Sequence, residues 1–503
     1  GACEEERFTG IKHDYSFPTN TINWLFEKYN VTKDDLDYIA FYENPILKLE
    51  RIEETTKRGG WLNYFKRKKI ISNNKKHYLT LLKELNDIKG KNTEIVFGDH
   101  HLSHLAYSYY TSPFKESAIL SVDGVGEWET TSIAYGTEEI QKLKSINFPH
   151  SLGMLYSTLT AFLGFKPNEG EYKVMGLAPY GRAITYNRNF LELYTLTKNG
   201  SFELNMDYFT YDYTDTHMFN EKLGKLFGIP NRLPGEELTQ DHKDLAASLQ
   251  SNYEKIFFTI LNNLQKETGS KNLCLGGGCA YNGTANGKIL KRTKFENLYI
   301  PPAPSDAGSA IGAVLAHKKK KIKFSPYLGY KILHHHSNRC IVDYLKDNKV
   351  CGLARGRAEF GPRALGNRSL LADPRGEDIK DLVNSIKKRQ KFRPFAPAIL
   401  EEDVNDYFDL PTGVKNTPYM QYTAACTAGK DFPAIIHHDH TSRVQTVRKT
   451  DNPGFHALLT EWKRQTGCPI LLNTSLNIKG QPIVNDREDG KAFTNKYGVK
   501  VLG

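Results

Sequence analysis

The chain has 503 residues, 39% hydrophobic and 25% charged, values of a globular protein long enough for roughly two to four domains. Its net charge of +11 favours anionic ligands such as nucleotides, phosphates or nucleic acid. Seven cysteines without a CxxC argue against a disulfide framework and a structural zinc ribbon, and for a reducing, cytoplasmic compartment. No apolar run could span a bilayer and no signal peptide is visible, so no membrane is expected. The sequence opens at Gly1 in mid-motif, and further residues are expected upstream.

Thr19–Tyr29 reads as a helix capped by Thr19 or Asn20, with Ile22, Leu25 and Phe26 on one face. Residues 62–90 are lysine-rich and read as a solvated helical excursion. An RNA-binding patch would need interleaved aromatics, and only Tyr64, Phe65 and Tyr78 offer them. Next comes Asp99–His104. If it is helical, His100 and His104 project from one face, a turn apart, and can reach one metal ion. Ser117–Val122 reads as a short buried strand, and Asp123 opens a DGxGE turn at its end. Two imidazoles and a carboxylate suit iron or zinc better than magnesium or calcium. Thr131–Tyr135 alternates as a returning strand, giving a hairpin whose turn amides can hold a phosphate.

The string Glu169–Ala178 is charged, apolar and punctuated by glycine, and suggests an active-site loop. Residues 185–235 read as an irregular insertion. Residues 241–266 read as a long amphipathic helix. A strand, Asn272–Leu275, then meets Gly276, Gly277 and Gly278 and a following helix, an arrangement that brings amides against a phosphate or nucleotide. After another short strand, Asn297–Ile300, Asp306 reads either as a helix cap or as a fourth metal ligand. Lys318–Lys321, Pro326 and Gly329 mark a linker, with a domain boundary near 320–335. His334–His336 belongs to that linker, because three consecutive residues cannot all face one ion. Beyond it, arginines sit at glycine- and proline-anchored turns: Arg355, Arg357, Arg363, Arg368, Arg393 and Arg443. Planar guanidinium groups so placed point to a pocket for a polyanion.

The motifs EERF…KHD, HxxxH, DGxGE, EYKVMGLAPYG, LGGGCAYN, SDAGSAIGA, EFGPRALGNRS, IKKRQKFRPFAP and LLNTSLNIKGQPIV occur in this order. Together they resemble the O-carbamoyltransferases of antibiotic and nodulation-factor biosynthesis. The resemblance implies an α/β protein of two domains. Residues 1–325 are similar to the threonylcarbamoyl-transferase fold of the actin-like ATPase superfamily, and residues 326–503 to the YrdC-like fold. It implies that the second domain converts carbamoyl phosphate and ATP, with Mg2+, into carbamoyl adenylate. The first would pass the carbamoyl group to a hydroxyl of a small-molecule acceptor, a natural product or sugar, beside a bound iron, with zinc as the alternative metal.

Carried over residue by residue, the implied metal ligands are His100, His104, Asp123 and Asp306. Gly276, Gly277, Gly278 and Asn282 fall on a nucleotide loop, lined by Glu171 and Lys173. Arg363, Arg368, Lys387, Arg393, Arg443 and Asn473 match the positions expected to hold carbamoyl phosphate and ATP. Lys173, Glu171, Arg363 and Lys387 are the catalytic candidates. Nucleic acid is not expected as a partner; a homodimer is the expected assembly. Three positions depart from the family pattern: Gly10, Gln390 and His440 stand where arginine, glutamate and glycine are usual. Family members carry a histidine-bearing motif upstream of EERF, and the given sequence starts too late to show it. Two other readings stay open: a tRNA threonylcarbamoyladenosine-forming enzyme, and a nucleotide-binding protein that has lost transfer. The fused second domain with FGPRALGNRS points away from the first; the intact arginine motifs speak against complete decay and leave loss of the transfer half open.

Overall fold

The computed structural model describes residues 1–60, 64–390 and 392–503. Residues 62 and 63 of the lysine-rich stretch, the side chain of Tyr64, and Lys391 of the basic motif lie outside the described residues. The chain divides into two compact units. The larger comprises Thr32–Ala285 and Ile289–Lys323; the smaller comprises Gly1–Val31, Asn286–Lys288 and Phe324–Gly503. The break at Lys323/Phe324 lies beside the expected boundary. The first 31 residues, however, belong to the smaller unit and not to the first domain. The reason is electrostatic. Glu4 Oε1 accepts from the Gly361 amide at 2.7 Å, and the buried Arg7 donates to the Glu359 carbonyl at 3.4 Å. Buried charged groups demand such partners. No described helix is long and apolar enough to cross a membrane.

In the N-terminal part of the smaller unit, α1 (Glu6–Thr9) precedes α2 (Thr19–Tyr29), whose bounds are those expected. Its cap is not. Pro18 holds the cap position, and neither Thr19 nor Asn20 caps the helix. Instead Glu5 reaches in: Oε1 accepts from the Asn20 amide at 3.0 Å and Oε2 from the Thr21 amide at 2.9 Å. A carboxylate there satisfies orphan amides and complements the positive helix end.

In the larger unit, β1 (Tyr38–Phe41) leads to α3 (Pro45–Thr55) and α4 (Tyr64–Asp87), and β2 (Glu94–Phe97) returns parallel to β1. Helix α4 is the lysine-rich excursion, and it leaves Phe65 and Leu79 exposed. Then follow α5 (His100–Tyr110), β3 (Ser117–Val122), β4 (Glu129–Gly136), β5 (Ile140–Asn147), α6 (Leu152–Phe162) and α7 (Glu171–Leu177). Next come α8 (Gln240–Thr268), β6 (Asn272–Gly276), β7 (Asn297–Tyr299) and α9 (Asp306–Lys318). The sheet order is β5-β4-β3-β6-β7, with β3 antiparallel to β4 and parallel to β6. Strand β3 is buried at every position, as its unbroken small and apolar run requires. Residues 185–235 hold only short helices and a small hairpin, Tyr194–Leu196 with Phe202–Leu204. The expected active-site loop EYKVMGL is instead the short helix α7, started by its own Glu171, whose carboxylate accepts the Asn168 and Gly170 amides.

The remainder of the smaller unit carries α10 (Asn338–Asn348), β8 (Val350–Ala354), β9 (Arg368–Ala372), α11 (Ile379–Ile386) and β10 (Ala396–Leu400). It continues with β11 (Gln445–Val447), α12 (Pro453–Thr466), β12 (Ile470–Ser475), α13 (Arg487–Tyr497) and β13 (Val501–Leu502). These strands form one mixed sheet in the order β11-β10-β12-β9-β8-β13. The two-residue period of the strands feeds two cores. Leu370 and Leu472 pack with Ile379, Val383 and Phe493, while Leu371 and Leu471 pack with Ile341, Leu345, Phe455 and Trp462. Both units are therefore mixed α/β.

Candidate functional site

The centre of the larger unit begins at a helix cap. Asp99 Oδ1 accepts from the Leu102 amide at 2.7 Å and starts α5, and Lys142 holds the other Asp99 oxygen at 3.1 Å. Helical geometry then places His100 and His104 a turn apart, with their Nε2 atoms 3.1 Å from each other. Asp123, at the end of β3, puts Oδ2 3.2 Å from His100 Nε2 and 3.6 Å from His104 Nε2. Asp306 Oδ1 lies 3.6 Å and 3.4 Å from the same two nitrogens. Asp306 is the first residue of α9 and makes no cap; Ser305 occupies the cap position. The capping reading thus gives way to one in which its carboxylate faces the imidazoles.

One atom from each of the four residues lies within 4.8 Å of every other. Bonds of about 2.1 Å to a single tetrahedral ion would set ligand edges of about 3.4 Å, so these residues fit one metal ion. Both imidazoles are buried, whereas the Asp306 side chain is 56% exposed, which leaves one side of the cluster open. Burial opposes charge on His100, but the Asp123 and Glu43 carboxylates outweigh it and raise the imidazole to about 10. Burial likewise opposes ionisation of Asp123, and hydrogen bonds from His100 and His104 overcome it, holding the carboxyl well below its usual range.

The outer contacts include residues that sequence reasoning missed. Glu127 accepts from the His100 amide at 3.1 Å and from the Asn44 amide at 2.6 Å. Glu43 Oε2 lies 3.7 Å from His100 Nδ1, and Ser309 Oγ lies 2.8 Å from His104 Nδ1. The one sequence signal for Ser309 is its place a single helical turn after Asp306.

Asp123 also reaches the glycine loop, where its Oδ1 accepts from the Gly278 amide at 2.8 Å. Gly277, at φ +83°, lies so close to β3 that a Cβ would stand 2.2 Å from the Val122 carbonyl oxygen. Its amide donates to the Pro304 carbonyl at 2.8 Å. After Gly276 the chain enters a four-residue 3-10 turn, Gly278–Tyr281, in place of the expected helix. The Gly277 and Gly278 amides, expected to hold phosphate, are therefore engaged within the protein. Asn282 is paired with Gln250 through two amide hydrogen bonds of 3.1 Å. Glu171 accepts from the Ser157 hydroxyl at 2.6 Å as well as starting α7. Lys173 Nζ stands 5.8 Å from the Phe165 ring and 5.7 Å from the Tyr172 ring. In the DGxGE hairpin the Gly126 amide is taken by the Glu129 carbonyl at 2.8 Å.

In the smaller unit, burial and the neighbouring Arg363 hold the Arg443 guanidinium well below its usual range. Two guanidinium groups that repel each other are relieved by an anion. Lys387 is likewise lowered, by burial and then by Arg389 and Arg393. It donates to the Ser475 and Asn477 carbonyls at 2.5 and 2.9 Å. Asn473 donates to Gln445 Oε1 at 2.7 Å and to the Ala364 carbonyl at 3.1 Å, and its buried Oδ1 has no hydrogen-bond partner among the described residues. Arg368 departs from expectation. It is fully buried, and its guanidinium donates to the carbonyls of Tyr330, Arg355, Gly356, Asn367 and Asn485. It staples the backbone and keeps no free face for a phosphate.

Comparison with known proteins gives the class. Residues 1–315 match the family described as Carbamoyltransferase N-terminus, and residues 342–503 match Carbamoyltransferase C-terminus. The chain belongs to the carbamoyltransferase family and is a carbamoyltransferase. It is 39% identical to the uncharacterized protein sll1178 of Synechocystis, over 97% of this chain and 89% of that one. It is 34% identical to nodulation protein NolNO of Sinorhizobium fredii, over 97% of this chain and 74% of that one. It is 35% identical to nodulation protein NolO of Bradyrhizobium diazoefficiens, over 78% and 75%. The solved structure of T. kodakarensis HypF overlaps 49% of this chain and 39% of its own, with 17% identity and a TM-score of 0.26, too low to bear on the fold.

Proposed function

We propose that this carbamoyltransferase is an ATP-dependent O-carbamoyltransferase that modifies a hydroxyl of a small-molecule acceptor. The observation that carries the reading is the convergence of His100, His104, Asp123 and Asp306, open on the Asp306 side, in a chain of this family. The larger unit is assigned the transfer step and an actin-like ATPase superfamily fold; the smaller unit is assigned activation and a YrdC-like fold.

In the proposed activation, water cleaves carbamoyl phosphate to carbamate and phosphate. A carbamate oxygen then attacks the α-phosphorus of Mg2+-bound ATP, and pyrophosphate leaves. Carbamate alone is a poor electrophile, and the adenylate supplies a good leaving group. Arg363 and Arg443 bind the anionic substrates and steady charge that grows on the phosphates. Arg393 adds positive charge beside Lys387, and Lys387 fixes the 475–477 turn. In transfer, the acceptor hydroxyl oxygen attacks the carbamoyl carbon, its proton is released, and AMP leaves. His100, His104, Asp123 and Asp306 would hold a divalent ion, iron on this reading with zinc as the alternative, which would supply Lewis acidity to the reaction. Asp306, on the open side, orients the approach. A cytoplasmic setting, where ATP and carbamoyl phosphate are made, suits this chemistry.

The test is pyrophosphate release from ATP and carbamoyl phosphate without acceptor. Release should require carbamoyl phosphate and vanish in Arg363→Ala. His100→Ala should spare release and stop transfer. No release from folded, metal-loaded protein would sink the activation route.

A further inference from the structure

We propose that Ser309 is the positioning residue of the metal cluster, and that its hydroxyl fixes which nitrogen of His104 is offered to the ion. The inference rests on the metal reading above. An imidazole can ligate through Nε2 only if that nitrogen keeps its lone pair, so the ring proton must sit on Nδ1. A proton on Nδ1 needs an acceptor, and in a buried site that acceptor must come from the protein. Ser309 Oγ stands 2.8 Å from His104 Nδ1, and neither residue is exposed to solvent.

The location of Ser309 adds an independent constraint. It lies three residues after Asp306 on α9, so a single helical turn carries both a ligand carboxylate and the group behind a ligand imidazole. Helix α9 thus sets two features of the cluster at once. The hydroxyl also orients the ring plane, which directs Nε2 toward Asp123 and Asp306. His100 has a weaker counterpart. Glu43 Oε2 is 3.7 Å from its Nδ1, beyond hydrogen-bond distance, and is already held by Lys48 at 3.0 Å. The tighter control falls on His104.

The test measures Co2+ affinity of the full chain, stripped of metal, by competition with a chelating dye, together with the visible Co2+ spectrum. Ser309→Ala should weaken binding by about 10- to 100-fold and shift the spectrum, with unchanged thermal unfolding of the metal-free protein. Ser103→Ala is the control. Ser103 is equally buried on α5, but its hydroxyl donates to the Tyr42 and Asp99 carbonyls and touches neither imidazole. It should leave affinity and spectrum unchanged. Wild-type affinity in Ser309→Ala, or equal weakening in Ser103→Ala, would overturn the role of Ser309 while leaving the metal reading intact. Absence of Co2+, Fe2+ and Zn2+ binding by the wild-type chain would overturn the metal reading, and this inference with it.

Discussion

Arg363 and Arg368 sit five positions apart, Arg363 in a glycine-rich turn and Arg368 at the start of β9, and the proposed function gives them opposite work. Arg368 has its donors spread over five backbone carbonyls and lies fully buried. The Tyr330 and Asn367 carbonyls also accept the Ala358 and Arg355 amides, so Arg368→Ala strands only those acceptors that have no second donor, at about 1–3 kcal/mol for each one left unpaired. It should lower the urea midpoint of the smaller unit by at least about 3 kcal/mol of stability, read by tryptophan fluorescence. Arg363→Ala should change stability by less than about 1 kcal/mol and abolish binding of ATP or inorganic phosphate, measured by calorimetry. Equal destabilisation by both variants would refute the division. The sequence made the two arginines look alike. A guanidinium saturated by carbonyls from Tyr330 to Asn485 leaves no local signature, because its partners come from distant segments. The ligand set is the opposite case. HxxxH on a capped helix and an acidic residue at a strand end are local patterns, so the convergence of His100, His104 and Asp123 was legible, while the residues left Asp306 between cap and ligand and the family resemblance favoured the ligand.

At the scale of elements, α5 and α9 approach each other closely in the larger unit. A Cβ at Gly312 would stand 1.9 Å from the Ser103 carbonyl oxygen. The glycine lets α9 bring Asp306 and Ser309 against the histidine helix. Gly312→Ala must push the helices apart, and it should weaken Co2+ binding by more than Ser309→Ala does, with a lower thermal midpoint in addition. An unchanged affinity would show that the cluster tolerates helix separation. In the smaller unit, Glu5→Ala removes the carboxylate that caps α2 and should cost about 1–2 kcal/mol in chemical unfolding. Helix α8 was readable because it repeats an apolar period along its length, and strand β3 because its small and apolar run is unbroken. Helix α7 was not: seven residues with a glycine give no period, and its start depends on where Glu171 folds back. The cap of α2 was unreadable for a related reason, since Glu5 comes from outside the helix.

At the scale of the molecule, the smaller unit is assembled from both ends of the given sequence. Residues Gly1–Val31 return to it, and Glu4 accepts the Gly361 amide in the turn that carries Arg363. A fragment of residues 324–503 should therefore unfold at a lower temperature than the same fragment fused to residues 1–31. Identical melting of the two would show that the N-terminal segment is a passenger. The lysine run and the proline and glycine after it placed a boundary near 320–335, and the two-domain reading came with the family resemblance. The return of the first residues did not, because a contact across more than three hundred positions has no trace in local composition.

The two oxygens of Asp123 are committed in different directions, Oδ2 toward the imidazoles and Oδ1 to the Gly278 amide. Such a carboxylate would make an ion held by the cluster and the glycine loop partners in one equilibrium. Whatever settles on the loop and shifts Gly278 alters the hold on the ion, and loading the ion alters the loop's grip by the same factor. The strength of that reciprocity is a property of a single side chain, and Asp123→Asn would be the place to weigh it.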